Sequence, residues 1–274
     1  ARNSVVLRHK RVVRLVEENG TMQYAETEDG SRYTGQYFIS NAHPAKTLDM
    51  IESDLIKKAY RNRIKSLENS VSVFYINAVL KKNALKYHNC NYYSYVDEDA
   101  WAAINHTEEN WPRGFGLFFT ISSKGGEYAD GITLMSYMRY DEVEKWSNTF
   151  HTTAHEVSRG EDYEAFKKEK TDKLLDCAEK RFPGIKDSIQ TLYTGTPLSL
   201  RDYLCTDDGS LYGIVKDYKD PLRTFISPST KIHNLFLTGQ NLNMHGILGV
   251  SMSAVVTCSR IVGMENLVEK IKNA

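Results

Sequence analysis

The stretch Asn234-Leu-Phe-Leu-Thr-Gly-Gln-Asn-Leu-Asn-Met-His-Gly-Ile-Leu-Gly-Val-Ser-Met-Ser-Ala-Val-Val-Thr-Cys258 decides the fold, because it reads as strand, glycine turn and helix in immediate succession. Leu235 to Leu237 form the short apolar run that a doubly buried strand needs, and Gly239 ends it. Gly246 and Gly249 bracket Ile247 and Leu248 just ahead of an apolar helical run from Val250. Such a turn is a place for a ligand. Glycines without Cβ let a flat or charged group approach the backbone, and the unpaired N–H groups of a helix start favour an anionic oxygen. The competing reading is that Gly246 and Gly249 only permit close helix packing.

Outward from that stretch, the opposite end of the chain carries a second pattern. Val12-Val-Arg-Leu-Val-Glu-Glu-Asn-Gly20 and Glu28-Asp-Gly30 supply β-rich runs with hairpin turns at Asn19-Gly20 and Asp29-Gly30, so residues 4 to 40 read as a meander with a first strand from Ser4 to Val16. Tyr37-Phe-Ile-Ser-Asn-Ala-His-Pro44 is a further strand, Tyr37 to Ile39, and a turn into a helix whose start Pro44 pre-sets. His43 is expected to sit at the surface or to cap.

Together, in this order, the two blocks resemble the FAD-dependent phytoene desaturase, carotenoid isomerase and retinol saturase (all-trans-retinol 13,14-reductase) family. The resemblance implies a flavoprotein oxidoreductase with FAD as cofactor, NAD(P) as a candidate electron partner, and a long apolar isoprenoid such as a carotenoid or retinoid as substrate. It implies cofactor contacts from Val12, whose backbone would meet the adenine, from Ser40 and Asn41, and from Gly239, Gln240, Gly246, Ile247, Leu248, Gly249 and Val250. The pairing of Thr196-Pro197 with Leu211-Tyr-Gly213 is similar to a segment that lies over the flavin in the retinol saturase and carotenoid isomerase branch; the alternative is a plain loop.

Composition narrows the rest. With 274 residues, 41% of them hydrophobic, the chain can bury a substantial core in one large domain or two. Lys plus Arg equals Asp plus Glu at 35 each, so there is no field of one sign to hold nucleic acid. Cys90, Cys177, Cys205 and Cys258 form no CxxC pair, which argues against a zinc site and points to buried thiols in a reducing compartment; no metal is expected. No run reaches the ~18 to 20 apolar residues of a membrane span. A cytoplasmic protein, with peripheral membrane contact at most, is therefore expected.

An FAD enzyme of this kind should also carry a strand, a Gly-x-Gly-x-x-Gly turn and a helix for the pyrophosphate. Gly114-Phe-Gly116 and Gly125-Gly126 lack the third glycine and lead into strand-like sequence. The expectation is thus a C-terminal part of a longer enzyme. Its fold class would be α+β (mixed α/β): the C-terminal portion of an FAD/NAD(P)-binding, amine-oxidase-like fold without its N-terminal Rossmann βαβ unit. Such a fragment alone would bind FAD weakly or not at all and be inactive.

Between the two blocks the pattern changes. Residues 46 to 69 read as one helix, with Leu48, Ile51, Leu55, Ile56, Ala59 and Ile64 in an apolar stripe beside a solvated basic face of Lys57, Lys58, Arg61, Arg63 and Lys65. Val71 to Leu80, Asn91 to Val96, Gly116 to Ser122 and Gly131 to Tyr140 read as four largely antiparallel strands rich in aromatic residues, most of them core. A loop between them holds Trp101, His106 and Trp111. A helix follows over 161 to 182, then a strand from Ile189 to Tyr193 and a short helix capped by Thr196. Residues 1–45 and 224–274 are expected to be a discontinuous remainder of the FAD-binding domain around a substrate-binding domain of residues 46–223, with the strand Leu235 to Leu237 beside Tyr37 to Ile39 and Gly239 near Asn41.

Flavin enzymes transfer hydride through the cofactor, so no acid–base pair is required of the sequence. His245 is the one ionisable side chain inside the glycine-rich motif and hence the candidate proton handler, with a turn-satisfying histidine as the alternative. Two other functions stay open: the same scaffold oxidising a polar amine or amino acid, and a non-catalytic binding module.

Overall fold

The computed structural model describes residues 4–273. The first elements are β1 (Val12–Glu18), β2 (Thr21–Thr27), β3 (Arg32–Thr34) and β4 (Phe38–Ser40), then helices α1 (Pro44–Asp49) and α2 (Lys58–Lys65). There follow β5 (Ser72–Leu80), β6 (Tyr92–Tyr95), β7 (Gly114–Thr120), β8 (Gly131–Met138), α3 (Glu161–Arg181), α4 (Ile185–Ser188), β9 (Ile189–Gly195) and α5 (Pro197–Leu204). The last elements are β10 (Leu235–Leu237), α6 (Gly246–Val262) and α7 (Met264–Lys272). The chain divides into two compact units, one of residues 1–70, 204–206 and 212–274, the other of residues 71–203 and 207–211. Among the described residues no helix is long and apolar enough to cross a membrane.

In the first unit β1, β2 and β3 form an antiparallel meander. Asn19 and Gly20 both take positive φ, 51° and 83°, the conformation a two-residue hairpin with the right twist requires. β1 begins at Val12 rather than at Ser4, and just before it the Arg11 carbonyl accepts from the Glu28 N–H at 2.9 Å. β10 pairs in parallel with β4, with Leu235 opposite Phe38, Phe236 opposite Ile39 and Leu237 opposite Ser40. That is the pairing the two sequence blocks imply. All three β10 residues are buried, which is why the segment is an unbroken apolar run. The side chain of Asn234 ties this pair to the meander: its Oδ1 accepts from the Met22 N–H at 2.7 Å, and its Nδ2 donates to the Met22 and Gln36 carbonyls at 3.1 and 3.3 Å.

The single helix expected over 46–69 is instead two. Ile51 leaves the helical path to bridge Leu15 in parallel, and the Leu15 N–H donates to the Met50 carbonyl at 2.8 Å. Arg61 stabilises the break by donating to the Leu48 carbonyl, to Ile51 O at 2.8 Å and to Ile56 O at 3.2 Å. Arg63 in turn donates to the Arg223 and Phe225 carbonyls, so two of the five residues read as a solvated basic face are structural. His43 is buried, not at the surface; its Nδ1 accepts from the Ala45 N–H and caps α1, while Nε2 lies 3.0 Å from Asn69 Oδ1.

The second unit is built on a five-stranded antiparallel sheet in the order β6-β7-β8-β5-β9, one strand more than the four expected, because the strand at Ile189–Gly195 adds to β5. Phe74, Leu117, Leu134, Met138 and Leu174 are fully buried in its core. Trp111 belongs there too, edge-on to Phe74 with centroids 5.7 Å apart, and its indole N–H donates to the Tyr137 carbonyl at 2.7 Å. The thiols differ from expectation: Cys90 and Cys205 are exposed, and Cys177 and Cys258 are half-buried.

A charged cluster lies inside this unit. His106 Nε2 donates to Glu142 Oε1 at 2.6 Å, Lys170 Nζ is 3.7 Å from Glu142 Oε2, and the Lys170 ammonium stands 4.9 Å from the centre of the Trp111 ring. Burial pushes the Glu142 carboxyl up, but hydrogen bonds from His106 and the Arg139 N–H, with the charges of His106 and Lys170, outweigh it and hold the group below its ordinary value.

Asn234→Ala leaves the buried Met22 N–H and carbonyl without partners and is expected to cost about 2 to 4 kcal/mol in urea unfolding, with Asn234→Asp recovering only the acceptor side. Glu142→Gln leaves Lys170 buried opposite a neutral amide and is expected to cost about 3 kcal/mol at pH 7. Because the folded carboxyl titrates lower than the unfolded one, its contribution is present above the unfolded pKa of 4.5 and is lost as pH falls through the lower folded value. The stability gap between wild type and Glu142→Gln should therefore close on acidification below pH 4.5; a constant gap would show that the charge of Glu142 is not what matters.

Candidate functional site

The end of the β4–β10 pair generates the site. The Thr238 N–H donates to Ser40 O at 2.9 Å, which carries the pairing one residue past the strand before Gly239 turns away at a φ of 96°. A Cβ on Gly239 would collide with Asn41 Oδ1, so Asn41 and Gly239 are neighbours. The Ser40 hydroxyl lies 2.7 Å from that of Thr47, which anchors the first strand's turn to α1. Gln240 follows Gly239, half-buried, and Asn241 is buried, its Oδ1 accepting from the Ile214 N–H at 3.0 Å.

Residues 212–216 pack beside this turn. Gly213 has a φ of 72° and no room for a Cβ against the Asn241 amide, and the Tyr212 ring stacks on His245 with centroids 4.4 Å apart. Lys216 Nζ donates to the Asn241 carbonyl at 2.5 Å and to Thr224 O at 3.3 Å; burial pushes its pKa down to about 8. Thus Tyr212 and Gly213 pack against the turn, and Asn241 and Lys216 are residues beside it that the sequence did not single out. A lysine between Val215 and Asp217 after an apolar pair is a weak signal, and only its carbonyl partners reveal the burial.

His245 is the N-cap residue of α6 but makes no side-chain cap, so the N–H groups of the first turn keep their partial positive charge. Gly246 has a φ of 78° with open space where a Cβ would stand, whereas a Cβ on Gly249 would overlap the Met244 carbonyl oxygen. Gly249 is thus required by the chain's own turn, and Gly246 by its backbone angle. Ile247 and Leu248 are 88% and 70% exposed, and Val250 is exposed as well. On its inner face α6 buries Gly249, Ser253 and Thr257, and the Thr257 hydroxyl donates to Leu237 O at 2.9 Å.

The structure therefore brings together Ser40, Asn41, Gly239 and Gln240 at one strand end and sets Gly246 to Val250 along the helix start that follows. Val12 opens β1 opposite Thr27, in a different sheet from β4 and β10. The arrangement offers an exposed apolar surface, uncapped backbone donors and the Tyr212–His245 ring pair, which suits a flat, partly anionic ligand. Such a donor set fits a flavin.

No family model matches the chain. It is 28% identical over 207 residues to the all-trans-retinol 13,14-reductase of Homo sapiens, which takes in 70% of this chain and 33% of that protein. The Danio rerio protein of the same name is 28% identical over 139 residues, covering 50% of this chain and 22% of that protein. The chloroplastic prolycopene isomerase of Daucus carota is 23% identical over 261 residues, 93% of this chain and 40% of that protein. The chain thus spans less than half the length of these curated relatives. Among solved structures, an oxidoreductase from Methanosarcina mazei superposes with a TM-score of 0.50 at 12% identity over 90% of this chain and 48% of its own, a likeness of fold. With its two matched blocks joined as one strand pair, this chain is a homologue of the all-trans-retinol 13,14-reductases and prolycopene isomerases.

Proposed function

We propose that the turn and helix start from Gly239 to Val250 hold FAD, in a whole protein that desaturates, saturates or isomerises a long conjugated isoprenoid. The observation that carries this reading is the parallel β4–β10 pair, whose Asn41–Gly239 end leads to an uncapped helix start flanked by exposed Ile247 and Leu248. When bound, the flavin supplies the hydride chemistry. The chain's own part is to place it: Asn241 and Lys216 fix the turn, the first-turn N–H groups of α6 face anionic oxygen, and Ile247 and Leu248 cover an apolar face from water. The retinoid and carotenoid named in the relatives support an apolar polyene as substrate. In this reading the flavin belongs to the unit that includes residues 1–45 and 224–274, and the unit of the five-stranded sheet holds the substrate.

The structure changes which substitutions are informative. Gly249→Val forces a side chain into the Met244 carbonyl and is expected to lower the yield of folded protein, so flavin lost from it says little about contact. Leu248→Asp sits on an exposed position and should alter stability by no more than about 0.5 kcal/mol. Made in the whole protein, it would set a carboxylate against an apolar cofactor face. The expected result is at least a tenfold loss of bound flavin, read from the visible absorbance of purified protein with an unchanged circular dichroism spectrum. Stoichiometric flavin in Leu248→Asp would overturn the assignment.

A further inference from the structure

A cavity of about 420 Å3 opens at the start of α2, within the first compact unit and lined by the end of the α1–α2 connection, by Tyr60 of α2 and by the segment that leads into β10. Its volume falls in the range of small-molecule sites, about 300 to 1,000 Å3. Leu55, Ile56 and the ring of Tyr60 make its apolar wall, and Lys57 and Lys231 stand among its polar residues. No carboxylate lines it.

The charges around it are unequally committed. Arg61 and Arg63, one and two turns along the same helix, spend their guanidinium groups on backbone carbonyls, and Lys65 is paired with Asp49. Lys57 and Lys231 have no ion pair or side-chain hydrogen bond among the described residues. Tyr60 adds a donor: burial pushes its phenol pKa up, so the hydroxyl keeps its proton at neutral pH. An apolar pocket with two uncompensated cations and a hydroxyl is complementary to a molecule with an apolar body and one anionic head. A cationic or purely apolar ligand would leave that charge unanswered.

We propose that this cavity is a binding site for a small amphiphilic anion, a medium-chain acyl carboxylate or alkyl phosphate, with its chain against Leu55, Ile56 and Tyr60 and its head held by Lys57 and Lys231. The site is independent of the flavin reading, since none of its lining residues belongs to the Gly239–Val250 turn.

The test is calorimetric titration of the full chain with decanoate and with decyl phosphate, beside decan-1-ol and decylamine. Saturable one-to-one binding of at least one anion, about tenfold or more tighter than the alcohol and the amine, is expected, and the tighter anion identifies the head group. The double substitution Lys57→Met, Lys231→Met should weaken anion binding about tenfold with an unchanged melting temperature, and Leu248→Asp should leave it untouched. Absence of saturable binding by either anion, equal binding of decan-1-ol, or anion affinity unchanged in the lysine double variant would each overturn the proposal.

Discussion

Asn234 does with a side chain what a strand does with a backbone. Its amide accepts from the N–H of Met22 and donates to the carbonyl of the same residue, 212 positions earlier, and it donates to Gln36 O as well. Its own carbonyl receives the Phe38 N–H at 2.8 Å. The side-chain bonds hold the meander to the start of β10, and the backbone bond sets the register of β10 against β4. Since Leu237 then falls opposite Ser40, Gly239 must turn where Asn41 turns, and everything built on that turn inherits its position from one buried amide. Such a group is stable inside because nearly all of its hydrogen-bonding capacity is used.

How much of this was legible depends on how local the cause is. The strand Leu235–Leu237, the hairpin at Asn19-Gly20, the sheet strands and the helix over 161–181 follow from periodicity and from turn residues, which act within a few positions. The break between α1 and α2 was not legible, because the stripe of Leu48, Ile51, Leu55 and Ile56 keeps helical spacing. What stops the helix is the Leu15–Ile51 bridge and the bonds of Arg61 to freed carbonyls, a tertiary preference that overrides propensity. The same holds for His106, Glu142 and Lys170, three ordinary-looking polar residues that only the folded chain brings into contact. Five residues read as one basic face likewise divide, once folded, into two arginines that serve as structural donors, one lysine paired with an acid and at least one lysine left unpaired.

The geometry divides the glycine-rich motif into an inner, packed row and an outer, exposed set. The row Gly249, Ser253 and Thr257 lets the backbone of α6 approach β10 closely enough for Thr257 to reach the Leu237 carbonyl. A helix packed by its small residues keeps its large ones on the other side, which is why Ile247, Leu248, Val250 and Met252 are exposed although the sequence is apolar nearly all round. Burying one such side chain fully is worth about 1.5 to 3 kcal/mol, so these exposed side chains favour contact with a further apolar group. Close packing accounts for Gly249, and it is compatible with a ligand at the turn. The inner small residues seat the helix on the strand, and by doing so they leave its larger side chains exposed beside the turn.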